Sequence, residues 1–178
     1  MSDLDQTDRR HFLQKSILSG LVITSTSEVT AEIDQGVKDA EVTQDVDVLV
    51  VGGGTAGNVA AIQAGRAGAK TLIVERGAQL GGTTTTGGVA FPGLFDAWGK
   101  QVIAGIGWEL VKECVELDGG KFPNFAKVPK SHWQNQVYVN QFLFAILAEE
   151  KCEQAGVAIA YHEFPQSVQK TEMGWEVI

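Results

Sequence analysis

The sequence has little of what several common protein classes require. Its only two cysteines, Cys114 and Cys152, lie 38 positions apart, so they form no CxxC pair, disulfide framework or four-cysteine zinc site. We expect both to be small buried residues on helices. No apolar run approaches the ~20 residues that a membrane-spanning helix needs. Lys and Arg number 14 against 22 Asp and Glu, which argues against a broad nucleic-acid-binding surface.

What remains is an ordinary globular composition. The 178 residues are 44% hydrophobic and 20% charged, enough for one domain with its own core. The negative charge is unevenly distributed, because residues 1–45 hold nine acidic and four basic residues and show no sustained helix or strand period. We therefore divide the chain into an export signal with a polar linker, residues 1–45, and a folded domain, residues 46–178.

The first part has the order of an export signal. A basic region with the pair Arg9 and Arg10 precedes a short apolar stretch and a small-residue site at residues 29–31 (VTA). The arrangement resembles a twin-arginine signal, although Asp8 occupies the usual Ser or Thr position. This predicts export to the periplasm. The alternative is a frayed amphipathic helix on a cytoplasmic protein.

The richest stretch begins with a β-branched run at residues 46–51 (VDVLVV), typical of a parallel strand buried on both faces. It leads into residues 52–57 (GGGTAG), which match G-x-G-x-x-G. Helical spacing of apolar residues follows, and a second strand, residues 71–74, ends at Glu75. We expect the helix to lie on the sheet through the small residues that recur along it: Ala56, Val59, Ala60, Ala64 and Ala67.

Each position in this unit has a physical reason to bind a dinucleotide. Gly52 permits the tight turn, Gly54 lets a pyrophosphate approach the backbone, and Gly57 allows close packing of helix on strand. The amides of Thr55 and Ala56 begin a helix whose positive end attracts phosphate. Glu75, 23 residues after Gly52, is placed to accept the ribose hydroxyls and disfavours a 2′-phosphorylated cofactor.

A second glycine-rich loop at residues 81–88 (GGTTTTGG) separates two candidate cofactors, because a nicotinamide domain has no evident use for it. With the preceding V-E-R, it resembles FAD-dependent oxidoreductases related to fumarate reductase and glutathione reductase. The resemblance extends over residues 46–178. It implies a Rossmann-like FAD-binding domain of the α/β class, in which Arg76, Gly82, Thr83 and Thr84 contact FAD. Related flavoproteins of the succinate dehydrogenase type attach FAD through a histidine in the loop after the second strand. No histidine lies between Val74 and Lys100, so the resemblance implies noncovalent FAD.

The remaining elements are predicted from periodicity. Apolar residues place one helix over residues 103–117, and Asn140 caps another that ends before Gly156. A third parallel strand follows at residues 157–161, and the resemblance implies that Phe164 lies near the adenine. Residues 175–178 (WEVI) read as one strand of a β-meander.

We therefore expect an FAD-dependent oxidoreductase that acts on a small organic substrate. The sequence indicates no metal site and no catalytic residue, and it does not indicate an oligomeric state. We interpret His132 and His162 as structural residues. Family members continue through a substrate domain, so we expect an incomplete C-terminal side and an inactive fragment. The alternatives are an NAD-dependent dehydrogenase and a nucleotide-binding module without chemistry.

Overall fold

The computed structural model describes residues 44–178, and for His132 only the backbone. The predicted export signal and nearly all of its linker lie outside these residues. The described elements are three α-helices, seven strands and two short 3₁₀ turns at Gly82–Thr84 and His132–Asn135. The helices are α1 (Thr55–Arg66), α2 (Ile106–Leu117) and α3 (Gln141–Gln154), and the strands are β1 (Val48–Val51), β2 (Thr71–Glu75), β3 (Asp96–Ala97), β4 (Lys100–Gln101), β5 (Ala158–Tyr161), β6 (Val168–Lys170) and β7 (Trp175–Val177).

The central sheet is parallel, with the strand order β1–β2–β5. This order is that of one mononucleotide-binding half of a Rossmann-like domain, and it confirms the predicted α/β class. The middle strand β2 is buried from Thr71 to Val74, as its unbroken apolar run predicts. Burial of β1 on both faces was wrong. Val51 is 57% exposed, because β1 pairs with β2 alone in the described sheet.

Helix α1 packs on β1 and β2, but through a different face from the one predicted. Its buried residues are Asn58, Ala61 and Ile62, while Ala56 and Ala60 are exposed. Close approach depends on glycine. A Cβ at Gly65 would collide with the Ala155 carbonyl group on the chain that leaves α3. The spacing of alanines predicted the wrong face because the face that packs closely carries Gly65 and the buried side chain of Asn58. Neither residue is hydrophobic, so neither contributes to an apolar pattern.

Helices α2 and α3 pack on each other and on α1. The predicted helix over residues 103–117 is confirmed from Ile106 to Leu117, but its predicted start is wrong, because Ile103 lies outside the helix. Leu117, its last residue, is 63% exposed. The buried residues of the helix are Ile106, Leu110, Val111, Cys114 and Val115. The wider stripe is the usual consequence of packing against more than one neighbour.

Helix α3 begins and ends as predicted. The Asn140 side chain accepts hydrogen bonds from the amides of Phe142 and Leu143, and Gly156 follows the helix with φ +74°. Strand β5 then joins the parallel sheet, and β7 pairs with β6 in an antiparallel hairpin. Both cysteines are buried on helices, Cys114 in α2 and Cys152 in α3. None of the described helices is long and apolar enough to cross a membrane.

Candidate cofactor-binding site

The first glycine loop turns the chain sharply from β1 into α1. Gly52 adopts φ +96°, a conformation that favours glycine, and its amide donates to the Val74 carbonyl oxygen at 2.8 Å. A Cβ at Gly57 would collide with the carbonyl oxygen of Gly52. Positions 52 and 57 therefore require glycine for the conformational reasons predicted from the sequence. Their contact with a cofactor stays a prediction.

The space in front of α1 is open at the remaining glycine of the motif. A Cβ built on Gly54 meets nothing within 4 Å. Among residues 44–178, the amides of Ala56 and Gly57 find no backbone acceptor, and no acidic side chain lies in the first turn of α1. Unpaired amides at the positive end of a helix dipole are suited to bind an anion. The site therefore fits a pyrophosphate.

Glu75 lies beside this loop, at the end of β2. Its Oε2 accepts a hydrogen bond from the Gly53 amide at 2.6 Å, and its Oε1 accepts one from the Gly77 amide at 2.6 Å. The carboxylate thus fixes the first loop and the chain that leaves β2, a role that sequence reasoning missed. Each oxygen of a carboxylate has a further lone pair, so both can still accept a hydroxyl group.

The two glycine-rich loops are joined directly. The Gly81 amide donates to the Gly53 carbonyl oxygen at 2.8 Å, and the Thr55 hydroxyl donates to the Gly81 carbonyl oxygen at 3.3 Å. A Cβ at Gly82 would lie 2.8 Å from the Gly54 Cα. The structure therefore brings Gly52, Gly54, Thr55, Ala56, Gly57, Glu75 and Gly82 together around one corner of the sheet.

Gly53 is a site residue that the motif alone did not predict, since it occupies a variable position of G-x-G-x-x-G. It is buried, and a Cβ there would collide with Leu80, which is fully buried below the loop. The Thr85 hydroxyl donates to the Leu80 carbonyl oxygen at 2.7 Å and holds the second loop closed. The sequence signal for this position was the run of three glycines at residues 52–54, of which the motif requires only the first and the third.

The other residues predicted to contact FAD, Thr83, Thr84 and Arg76, differ in their exposure. Thr83 is exposed beside Gly82, whereas Thr84 is only 4% exposed. Arg76 is exposed and its guanidinium lies 5.8 Å from the centre of the Phe164 ring. Arg76 and Phe164 are thus neighbours at the carboxyl edge of the sheet, next to Glu75.

Tyr161 pairs with Glu75 in the register of β2 and β5. Its hydroxyl donates to Glu149 Oε2 at 2.8 Å. Burial raises the pKa of this phenol, and the hydrogen bond to Glu149 raises it further. Tyr161 therefore stays protonated near neutral pH and is a hydrogen-bonded structural residue.

His162 adds no chemistry to this corner. His162 is exposed and its amide donates to the Gly77 carbonyl oxygen at 3.2 Å, with φ +61°. The side chain of His132 lies outside the description. Within residues 44–178, no group of three or more His, Cys, Asp or Glu side chains could hold a metal ion.

The parallel sheet, the glycine turn, the free amides of α1 and the terminal carboxylate define a dinucleotide-binding protein. The family model for FAD dependent oxidoreductases matches residues 47–178. The chain belongs to this family, and its cofactor is therefore FAD. The match also favours FAD over the nicotinamide alternative.

Individual relatives match over short stretches. Mitochondrial dihydrolipoyl dehydrogenase of Caenorhabditis elegans is 58% identical over 41 residues, which are 23% of this chain and 8% of that protein. Thiamine thiazole synthase of Methanococcus vannielii is 46% identical over 50 residues, 28% of this chain and 19% of that protein. The matches thus span less than a fifth of these curated relatives.

Solved structures are similar at lower identity. THI4 of Thermovibrio ammonificans is 15% identical with a TM-score of 0.46, and the match covers 99% of this chain and 55% of that one. The anhydrotetracycline hydroxylase OxyS of Streptomyces rimosus is 18% identical with a TM-score of 0.48, covering 74% of this chain and 27% of that one.

Proposed function

We propose that residues 47–178 bind FAD noncovalently and form the dinucleotide-binding part of an oxidoreductase that exchanges a hydride or electron pair with a small organic substrate. The observation that carries the proposal is the corner where the two glycine-rich loops meet. There, open space at Gly54 faces the unpaired amides of α1. Family membership supports the general reaction class.

The residues of the corner divide the binding task. The amides of Ala56 and Gly57, at the positive end of α1, bind the pyrophosphate. Glu75 accepts the hydroxyl groups of the adjoining ribose while it holds the Gly53 and Gly77 amides. Gly82, Thr83 and Thr84 continue the site along the second loop, since Gly82 packs directly against Gly54.

FAD, when bound, supplies the electron-transfer chemistry itself. The part of this chain that we describe contributes orientation and charge: a fixed carboxylate at one end of the site and a helix dipole at the centre. We assign no catalytic side chain. The absence of histidine between Val74 and Lys100 supports noncovalent attachment. The expected lack of turnover by this chain alone stays a prediction, as does the alternative of a binding module without chemistry.

Gly54→Ala tests the proposal without disturbing the fold. Gly54 has φ −64°, which alanine adopts readily, and the added methyl group meets no protein atom within 4 Å. The same methyl group would occupy the space that we assign to the pyrophosphate. We expect FAD affinity to fall at least about tenfold, a loss of ~1.4 kcal/mol, while the melting temperature of the cofactor-free chain changes by less than about 2 °C.

Binding is measured by quenching of flavin fluorescence and by the ~450 nm absorbance of the purified protein. Gly107→Ala is the matched control, because its added Cβ makes one ordinary contact, 3.8 Å from Val59, and meets no glycine of the motif within 4 Å. Equal FAD affinity in both variants and the wild type would contradict the proposed site. Binding of NADH in preference to FAD would support a nicotinamide-dependent dehydrogenase instead.

A further inference from the structure

A surface that combines exposed apolar side chains with lysines lies away from the glycine-rich loops, where the β3–β4 hairpin packs on the chain around residues 126–130. A Cβ on Gly99, in the turn of the hairpin, would lie 3.2 Å from the Ala126 carbonyl oxygen and 3.6 Å from the Val128 side chain. Trp98 and Val128 also line one pocket. We call this surface the hairpin patch, and its residues are Leu94, Trp98, Lys100, Lys127, Val128 and Lys130.

The apolar residues of the hairpin patch leave much of their surface in contact with water. Trp98 is 89% exposed and Val128 is 73% exposed, and Leu94, in the lining of the same pocket, is also exposed. A single exposed apolar side chain is ordinary, but neighbouring ones mark a place where a membrane or another molecule binds. The hairpin patch is therefore a candidate interaction surface.

The identity of residue 98 has no explanation within the fold. Trp98 and Gly99 form the two-residue turn of the hairpin with φ values of +51° and +74°. Turns with both central residues at positive φ favour Asn and Gly, because a bulky side chain is strained there. Tryptophan carries that strain and contributes little to the core, since its side chain is exposed. The ring is therefore available to a partner at the tip of a turn.

The hairpin patch is positively charged on a chain whose net charge is −8. Lys100, Lys127 and Lys130 are exposed, and none of them forms a salt bridge with another residue among residues 44–178. Lysine side chains are long and flexible, so neighbouring ones act through their summed field. That field attracts an anionic surface.

The acidic residue that accompanies these lysines is engaged within the fold. Asp96 is the only acidic residue in residues 94–105 and 119–140, the segments that build the patch. Its Oδ1 is buried, and its Oδ2 accepts a hydrogen bond at 2.8 Å from the buried side chain of Asn135. The three lysines are therefore left without an acidic partner on this surface.

We propose that the hairpin patch binds the surface of a bilayer that contains anionic lipids. The lysines are attracted to the lipid phosphates, and tryptophan is enriched where the headgroups meet the acyl chains. Binding at this interface grows with the apolar area that a protein buries and with its attraction to anionic lipids, and the patch supplies both. A bilayer fits better than an acidic protein, because an indole at the tip of a turn enters the lipid interface without a matching cavity. The proposal is independent of the flavin assignment, because none of these residues belongs to the glycine-rich loops.

The first test measures binding of the 178-residue chain to vesicles by co-flotation. Vesicles of phosphatidylglycerol and phosphatidylcholine in equal parts carry negative charge, and vesicles of phosphatidylcholine alone are the neutral control. We expect the partition coefficient to be at least about tenfold higher on the anionic vesicles and to fall as salt is added. Equal partitioning to both kinds of vesicle, or none to either, would overturn the proposal.

A triple variant separates the patch from the basic pair Arg9 and Arg10, which also carries positive charge and stays unchanged in it. Replacing Lys100, Lys127 and Lys130 with glutamine should lower the partition coefficient on anionic vesicles at least about thirtyfold, because each lysine near the surface contributes about fivefold. Wild-type partitioning of this variant would place the binding elsewhere in the chain and refute the assignment.

The control for this variant makes the same change in net charge outside the patch. Lys70, Lys112 and Lys170 are exposed as well, and replacing all three with glutamine should lower the partition coefficient by about threefold or less. Equal losses in the two triple variants would show that overall charge governs binding, and would contradict a role for the patch.

Entry of the indole into the lipid distinguishes a bilayer from an acidic protein. Trp98→Asn should weaken partitioning at least about fivefold and reduce the quenching of tryptophan emission by phosphatidylcholine that is brominated in its acyl chains. Asparagine is favoured at positive φ, so we expect the turn to fold. Trp175→Asn, at another exposed tryptophan, is the control and should leave both quantities unchanged.

Two further outcomes would contradict the proposal. Unchanged partitioning and quenching in Trp98→Asn would show that this residue does not enter the bilayer. Binding of poly-L-glutamate by a chain that does not bind the anionic vesicles would assign the hairpin patch to an acidic protein instead.

Discussion

Glu75 fixes two loops in the structure and, in our proposal, also binds the ribose; substitution can separate these two roles. In the structure its two oxygens accept hydrogen bonds from the amides of Gly53 and Gly77. Alanine would remove both acceptors at once and mix a loss of loop structure with a loss of binding. Glutamine has nearly the same size but offers one acceptor oxygen and no charge.

We therefore expect Glu75→Gln to weaken FAD binding at least about tenfold, because a charged acceptor of the ribose hydroxyls is lost. The variant should stay folded, with a stability loss of about 1–3 kcal/mol from the amide that loses its acceptor. Fluorescence titration and urea unfolding measure the two effects. Glu172→Gln, in the exposed turn between β6 and β7, is the control; wild-type FAD affinity in Glu75→Gln would show that the ribose lies elsewhere.

Cys152 shows how burial controls chemistry at a single residue. Its thiol is fully buried and donates to the Asn58 Oδ1 atom at 3.1 Å, between α3 and α1. Burial raises the pKa of the thiol to about 11, and the charge of Glu149 adds to the effect. The thiolate is therefore scarce in the folded state, and the residue is unsuited to nucleophilic or redox chemistry.

The raised pKa predicts a dependence of stability on pH. The folded state binds the thiol proton more tightly than the unfolded chain, whose cysteine has a pKa of ~8.5. The contribution is complete below that pH and is lost as pH rises towards about 11. We expect the urea midpoint to fall over this range, and to fall less in Cys152→Ala. Rapid reaction of Cys152 with a thiol reagent in the native protein at pH 8 would contradict this.

Among the secondary-structure elements, helix α1 shows which features a sequence reveals and which it conceals. Its presence directly after the glycine motif followed from the motif and the helical period, because both signals are local. Its buried face did not, because Gly57 and Gly65 carry no hydrophobic signal. The need for glycine at these two positions is set by the carbonyl groups of Gly52 and Ala155, which directly follow β1 and α3.

The candidate site divides in the same way. The motif predicted Gly52, Gly57 and Glu75 from spacing alone. It could not predict the hydrogen bond between Gly81 and Gly53, which joins loops 28 positions apart in the sequence. The exposed part of β1 was likewise set by its place in the sheet, since Val51 has the same residue type as the buried Val74.

Two glycines in helices give a direct measure of this packing. Gly57→Ala places a methyl group against the Gly52 carbonyl oxygen, a backbone atom that cannot rotate away. We expect a loss of about 1–3 kcal/mol or more. Gly107→Ala, in α2, should instead stabilise the chain by up to about 1 kcal/mol, because alanine favours the helix and has room there. Urea unfolding of both variants tests the pair; a tolerated Gly57→Ala would mean that α1 packs less closely on β1.

For the whole chain, the division of charge remains the main guide to the part before the folded domain. Residues 1–45 hold most of the net charge of −8, with nine acidic residues against four basic ones. The division at residue 45 stays a prediction. We propose that the pair Arg9 and Arg10 directs export by the twin-arginine route, which carries proteins already folded around their cofactors. A noncovalent cofactor that must be bound before export gives this route a physical reason.

The export proposal predicts that replacing Arg9 and Arg10 together with lysine keeps the protein in the cytoplasm. Lysine preserves the positive charge, so the change tests recognition of the arginine pair and leaves the electrostatics of the segment intact. Cell fractionation followed by immunoblotting locates the protein, and Lys38→Arg, in the same segment, is the control for an exchange between basic residues.

Gly54→Ala provides a second experiment on export. If export requires that FAD is already bound, this variant should also accumulate in the cytoplasm although its signal is intact. An unchanged distribution of the double lysine variant would assign the segment to another role. Export of Gly54→Ala at the wild-type level would show that loading with FAD does not precede export.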